Sequence, residues 1–217
     1  MIITNIKGII FDLDGVLCST DEYHYQAWKH LAESIGIHNF TREDNARQRG
    51  VSRMESLEIV LEKSSKEYTQ EEKLKLADCK NAEYVKLLNQ MSEKDLSDEV
   101  KFTLDQLKKE KIKLAVGSSS KNTPIILQRL GLENFFDAVA DGNMITRSKP
   151  EPDVFLLAAD KLGLKSKECL VVEDAYAGIE AGKRGGFLTA GINTAADCPF
   201  ADYSLSCFKN LLNLVHQ

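Results

Sequence analysis

Short apolar runs rich in β-branched residues recur along the chain: IKGIIF (6–11), IKLAVG (112–117), DAVA (137–140), CLVV (169–172), FLTAGI (187–192) and DYSLS (202–206). Most are separated by segments with helical periodicity. In EVKFTLDQLKKE (99–110), Val100, Leu104 and Leu107 share one face. NTPIILQRLG (122–131), PDVFLLAADKLG (152–163) and AYAGIEAGKRG (175–185) each run out at a glycine, a common helix stop. Continuous apolar strands alternating with helices predict a parallel sheet covered on both faces.

One connection breaks this rhythm. Between the first and second strands the pattern is helical throughout. Ala27, Trp28, Leu31, Ala32 and Ile35 form one apolar stripe, and Met54, Leu57, Val60 and Leu61 a second. Leu74, Ala77, Tyr84, Val85 and Leu88 form a third over 70–91, interrupted by Asn81. Three or four such helices can bury their stripes on one another. The expected architecture is α/β: a Rossmann-like parallel-sheet core (1–16 and 89–217) with an inserted α-helical cap domain (17–88), hinged at the turns near Cys18 and Asp95.

Composition narrows the function. The chain has 217 residues, 43% hydrophobic and 28% charged, with a net charge of −5 and no basic block. That excludes an electrostatic nucleic-acid surface and a polybasic membrane patch. No apolar run is long enough to span a bilayer, and the start of the chain does not read as a signal peptide. The 5 cysteines are scattered, without a CxxC pair, which fits reduced thiols in the cytoplasm better than a disulfide framework or zinc site.

The chemistry lies at the predicted strand ends, where open α/β sheets bind ligands. The first strand runs into Asp12 and Asp14, and acids beside apolar surface are costly unless something cationic satisfies them. The second ends in Ser118, Ser120, Lys121 and Asn122; Lys149 in SKPEPD follows the third; Glu173 and Asp174 end the fourth. Singly, each has a plainer role: a loop acid, a helix N-cap, a turn before a helix. In order, and each at a strand end, they make an inventory suited to Mg²⁺ held by carboxylates and a phosphate. Asp12 can serve as nucleophile and form an aspartyl phosphate, Asp14 can transfer protons, and Lys149 can balance charge. The helical insert contributes His24, Trp28, Lys80 and the RQRGVSR segment (47–53), where Gly50 and Val51 amides and the Arg53 guanidinium could cradle a phosphate. Taken alone, Trp28 reads as packing, and His24 and Lys80 as ordinary helix residues.

DLDGV (12–16), Ser118, Lys149 and ED (173–174) resemble, in order, the motifs of the haloacid dehalogenase superfamily. DEYHYQAWKHLAESIGI (21–37), RGVSR (49–53), KNAEYVKLL (80–88), SSSKN (118–122) and SKPEPDVF (148–155) are similar to the β-phosphoglucomutase family within it. The resemblance implies isomerisation of β-D-glucose 1-phosphate and D-glucose 6-phosphate through an aspartyl-phosphate enzyme, with β-D-glucose 1,6-bisphosphate as activator and intermediate. It implies Mg²⁺ held by Asp12, the Asp14 carbonyl, Glu173 and Asp174. It gives the non-transferring phosphate to Arg53, Ser120, Lys121 and Asn122, and substrate contacts or support of Asp14 to Thr20, His24, Gly50, Val51 and Lys80. Ser19 stands where an acid is expected, Arg49 where a lysine is, and Ser119 where a small apolar residue is. A monomer acting on small sugar phosphates is expected, without nucleic-acid or membrane partners. A sugar-phosphate phosphatase and a non-catalytic sugar-phosphate sensor remain the alternatives.

Overall fold

A computed structural model describes residues 6–48 and 51–215. Along the chain run β1 (Gly8–Phe11), α1 (Asp21–Ser34), α2 (Arg42–Arg47), α3 (Arg53–Leu61), α4 (Gln70–Leu88) and α5 (Asp98–Lys109). There follow β2 (Lys113–Gly117), α6 (Thr123–Arg129), β3 (Ala138–Ala140), α7 (Asp153–Leu162), β4 (Cys169–Glu173), α8 (Tyr176–Arg184), β5 (Leu188–Ile192), β6 (Tyr203–Leu205) and α9 (Leu211–Val215). The contacts divide the chain into two compact units, 1–19 with 92–217, and 20–91.

The first unit is built on a six-stranded sheet of order β3-β2-β1-β4-β5-β6, with every pairing parallel. All four residues of β1 and all five of β4 are buried, so these central strands are covered on both faces, as their unbroken apolar runs require. Strand order reverses at β1, which lies between β2 and β4. The α/β expectation of a parallel sheet covered on both faces therefore holds. Helix α5 buries Val100, Thr103, Leu104 and Leu107; Ser97 caps it by accepting the Val100 N–H at 3.2 Å, and acids open it while lysines close it, matching the helix dipole. Helix α7 ends at Gly163 in the left-handed conformation (φ 67°). Its Val154, Phe155, Ala158 and Leu162 pack with Ile10, Ala115, Val171 and Phe187 in one core cluster.

The second unit is a helical bundle. Trp28, Leu31, Ala32, Leu57, Val60 and Ala77 form its core with Ile37 and Phe40. Capping boxes start three of its helices: Thr41 with Asp44, Ser52 with Glu55, and Thr69 with Glu72. Helix α2, only six residues long, is too short to show a periodicity, although its TRED start carries the capping signal. Two details of the third stripe differ from expectation. Helix α4 stops at Leu88, and Leu74 is 56% exposed. The buried face is Ala77, Lys80, Tyr84 and Leu88, so a lysine occupies a position in the stripe that the apolar count had assigned elsewhere. Among the described residues no helix is long and apolar enough to cross a membrane.

Leu162→Ala, in the α7–sheet core and away from the charged strand ends, is expected to cost about 2–5 kcal/mol of unfolding free energy. Urea titration checks this; the specific activity of the folded fraction should not change.

Candidate active site

The site grows out of the register of the two central strands. Phe11 of β1 is paired with Val172 of β4, and the Asp12 N–H continues the ladder to the Val172 carbonyl at 3.0 Å. The next residues on the two strands are Asp12 and Glu173. They emerge side by side where strand order reverses, the place at which such sheets form a crevice. Asp12 is 7% exposed and Glu173 1%. After Asp12 the chain turns sharply: the Leu17 and Cys18 amides both donate to the Leu13 carbonyl, and Gly15, at φ 79°, donates to the Cys18 carbonyl at 2.7 Å. Asp14 sits half-buried in this turn.

Lys149 answers the acids. Its ammonium donates to Asp12 Oδ1 at 2.5 Å and to Glu173 Oε1, and lies 4.7 Å from the Phe155 ring centre. Burial alone would pull this lysine down; Asp12 and Glu173 outweigh it and hold the ammonium above its usual value. Glu173 Oε2 accepts the Ala175 N–H at 3.1 Å. Burial pushes the Glu173 carboxyl up, Lys149 opposes this, and Asp12 adds to it. Burial, then Glu173 and Asp12, push Asp174 up to about 8. One ammonium thus faces Asp12, Glu173 and Asp174, and the cluster is short of positive charge.

The missing charge suits a divalent cation. Asp12, Glu173 and Asp174 each offer a carboxylate oxygen within 4.8 Å of the others. An all-oxygen, anionic donor set fits Mg²⁺ rather than a thiophilic metal. Two glycines make room for these carboxylates. A Cβ on Gly15 would fall 2.1 Å from Asp174 Oδ2, and one on Gly178 would fall 1.9 Å from the Glu173 carboxyl carbon. Neither glycine stood out from the sequence beyond its place after DxD or within a helix.

Ser118 lies just past the end of β2, 2% exposed; its Oγ accepts the Ser120 N–H at 3.2 Å, and Ser120 Oγ accepts the Asn122 N–H at the same distance. Asn122 is buried at the start of α6, whereas Lys121 is exposed and its carbonyl is held by Asn143 Nδ2 at 2.9 Å. Ser119 Oγ is buried without a partner among the described residues.

In the helical unit the structure joins four of the expected residues. Lys80, 3% exposed, places its ammonium 2.9 Å from His24 Nδ1 and 4.6 and 4.4 Å from the ring centres of Trp28 and Tyr84. Tyr84 donates to Thr20 Oγ1 at 3.0 Å. Burial first, then the positive charges of Lys80 and Arg53, hold His24 well below the usual histidine range, so its imidazole is neutral at pH 7. Because Lys80 donates to Nδ1, the ring proton sits on Nε2. Trp28 is 1% exposed and belongs to the core. Arg53 is half-buried in the first turn of α3, and burial draws its guanidinium below the usual value. The Val51 amide is not open as expected: it points at the Gln48 carbonyl at 3.5 Å, within the turn that follows α2. Gly50 lies outside the described residues.

Residues 9–192 match the haloacid dehalogenase-like hydrolase family. The chain belongs to that family. Among haloacid dehalogenase-like proteins it is 41% identical to the β-phosphoglucomutase of Bacillus subtilis (strain 168) over 98% of this chain and 95% of that protein. A crystal structure of β-phosphoglucomutase from Clostridium difficile superposes with a TM-score of 0.87 at 35% identity, covering 95% of this chain and 93% of the other. The phosphorylated carbohydrates phosphatase of Thermotoga maritima is 30% identical over 83% of this chain and 82% of that protein.

Folded pKa values above the unfolded ones mean that Glu173 and Asp174 bind protons more tightly in the folded state. Their contribution to stability is present below the unfolded values near pH 4 and is lost as pH rises through the folded values, at up to about 1.4 kcal/mol per pH unit for each group. Without metal, Tm should therefore fall between about pH 4 and 8, the interval between the unfolded and folded values of the two carboxyls. Mg²⁺ should stabilise the protein increasingly over the same range. Thermal melts in chelator and in Mg²⁺ across this range check both slopes.

Proposed function

We infer that this protein is a β-phosphoglucomutase: a phosphotransferase that interconverts β-D-glucose 1-phosphate and D-glucose 6-phosphate. The reading rests above all on the buried Asp12–Lys149–Glu173 cluster at the sheet's reversal point. The near full-length identity to a β-phosphoglucomutase supports a mutase over the phosphatase alternative.

Asp12 is the nucleophile. Its carboxylate oxygen attacks phosphorus, the phosphorus–oxygen bond to the sugar breaks, and an aspartyl phosphate forms. Asp14 protonates the departing sugar oxygen and takes a proton from the attacking hydroxyl when the phosphoryl group returns to sugar. Lys149 holds Asp12 in place and offsets charge on the transferring group, with Ser118 as a further hydrogen-bond partner. Asp12, the Asp14 carbonyl, Asp174 and Glu173 would hold Mg²⁺, which supplies positive charge to the phosphoryl oxygens. β-D-glucose 1,6-bisphosphate is the intermediate released or retained between the two transfers.

The helical unit acts as the cap that admits a sugar hydroxyl and excludes water. Arg53, Ser120, Lys121 and Asn122 take the non-transferring phosphate, with Gly50 as a further substrate contact. The His24 Nε2–H and the Lys80 ammonium supply donors for substrate or for Asp14, steadied by Thr20, Tyr84 and Trp28. The protein works as a cytoplasmic monomer.

A coupled assay with β-D-glucose 1-phosphate and a trace of the bisphosphate decides between mutase and phosphatase. Glucose 6-phosphate should form without steady release of inorganic phosphate; release without isomerisation would establish the phosphatase instead. Asp12→Asn should abolish turnover while leaving the fold intact, because an amide cannot form the acyl phosphate.

Arg53→Ala separates the two units functionally. A bidentate charged hydrogen bond to the remote phosphate corresponds to a loss of about 10–10³-fold in mutase kcat/KM. Autophosphorylation of Asp12 by acetyl phosphate, a donor with no second phosphate, should stay within a few-fold of the parent protein. Equal loss in both reactions, or in neither, would remove Arg53 from the remote phosphate site.

A further inference from the structure

The turn that carries Asp14 contains Gly15, whose missing Cβ leaves its backbone free to take many conformations. Two hydrogen bonds remove that freedom. The peptide plane between Asp14 and Gly15 is pinned through the Gly15 N–H, which donates to the Cys18 carbonyl at 2.7 Å. The plane between Gly15 and Val16 is pinned through the Gly15 carbonyl, which accepts from Asn193 Nδ2 at 2.7 Å. In a trans peptide the carbonyl lies opposite the N–H, so fixing the first plane also fixes where the Asp14 carbonyl points.

Asn193 is a firm anchor. It follows β5, at the opposite end of the sequence from the turn it holds, and is itself in the left-handed region at φ 52°. Asparagine tolerates that region better than other side-chain-bearing residues. Its carbonyl accepts the Ala196 N–H at 3.2 Å, closing a short helical turn. That turn folds back on Gly191, where a Cβ would fall 1.9 Å from the Ala195 carbonyl oxygen. A rigid backbone thus presents one side-chain amide to the loop between Asp12 and Cys18.

We propose that Asn193 is a positioning residue for Mg²⁺-dependent phosphoryl transfer, holding the Gly15 turn so that the Asp14 carbonyl and side chain meet the cation and the substrate oxygen in register. This rests on reading the Asp12 cluster as a Mg²⁺ and phosphoryl site; it does not depend on whether water or a sugar hydroxyl is the final acceptor. Its side-chain amide acts on the Gly15 carbonyl, through the turn, so its removal loosens the loop without emptying the site.

Asn193→Gly removes the amide and keeps the left-handed backbone easy to form. Asn193→Ala removes the same amide and adds backbone strain. Mg²⁺ affinity, measured by titration calorimetry at pH 8, should weaken by about 3–10-fold in both variants, the range of one neutral hydrogen bond. The transfer kcat should fall by a similar factor, with KM for the sugar phosphate unchanged. Tm should drop further in Asn193→Ala than in Asn193→Gly. An unchanged Mg²⁺ affinity in Asn193→Gly, or a loss that follows Tm and occurs only in Asn193→Ala, would reduce Asn193 to a backbone role and overturn the inference. Wild-type protein that binds Mg²⁺ but releases phosphate without isomerising sugar would overturn the mutase reading and leave the comparison between variants standing. Wild-type protein that binds no Mg²⁺ overturns this inference directly.

Discussion

Everything at the working end of the α/β unit follows from a shortage of positive charge at the ends of two adjacent buried strands. Asp12, Glu173 and Asp174 converge there, and Lys149 is the ammonium that meets two of them. Carboxylates cannot be crowded in a low-dielectric place without either taking up protons or acquiring a cation. The raised Glu173 and Asp174 carboxyls are the first outcome, and a donor set that suits a divalent cation is the second. The same imbalance that costs stability without metal gives the site its affinity for a divalent ion and its strength as a charge-stabilising environment.

The rest of the unit makes that arrangement possible. A sheet whose strand order reverses at β1 puts the ends of β1 and β4 next to each other. Glycines 15 and 178 stand where any side chain would collide with Asp174 or Glu173. Phe155, in the core beneath the site, lies close to the Lys149 ammonium and joins the charged layer to the packed one. A hydrogen bond from Asn193, far away in sequence, reaches the turn at Gly15, where a glycine by itself leaves the backbone loose.

The helical unit solves a different problem with a buried lysine. Lys80 is enclosed by Trp28 and Tyr84 and donates to a neutral His24. Aromatic faces and an imidazole nitrogen replace part of the water that burial removes. This explains how a cation occupies a stripe position among Ala77, Tyr84 and Leu88. It also gives Trp28 a part beyond packing, since the ring belongs to the core and faces the Lys80 ammonium as well.

Much of this was legible in the chain. Unbroken apolar strands spaced by helical periods dictate a parallel sheet, and the motif residues at each strand end follow from Asp12 to Asp174 in order. Residue type alone identified the chemistry of a carboxylate, a lysine and a serine at a sheet rim. The sequence could not reveal that Lys149 bonds Asp12 and Glu173 rather than solvent, that Lys80 is buried while Leu74 is exposed, or that Asn193 reaches Gly15. Periodicity is a local property, set by the geometry of one helix or strand, and it survives in the order of residues. Charge pairing, burial of an individual side chain and the pinning of a glycine depend on distances between segments far apart in the chain, and those distances exist only once the sheet has closed its register and the helices have packed.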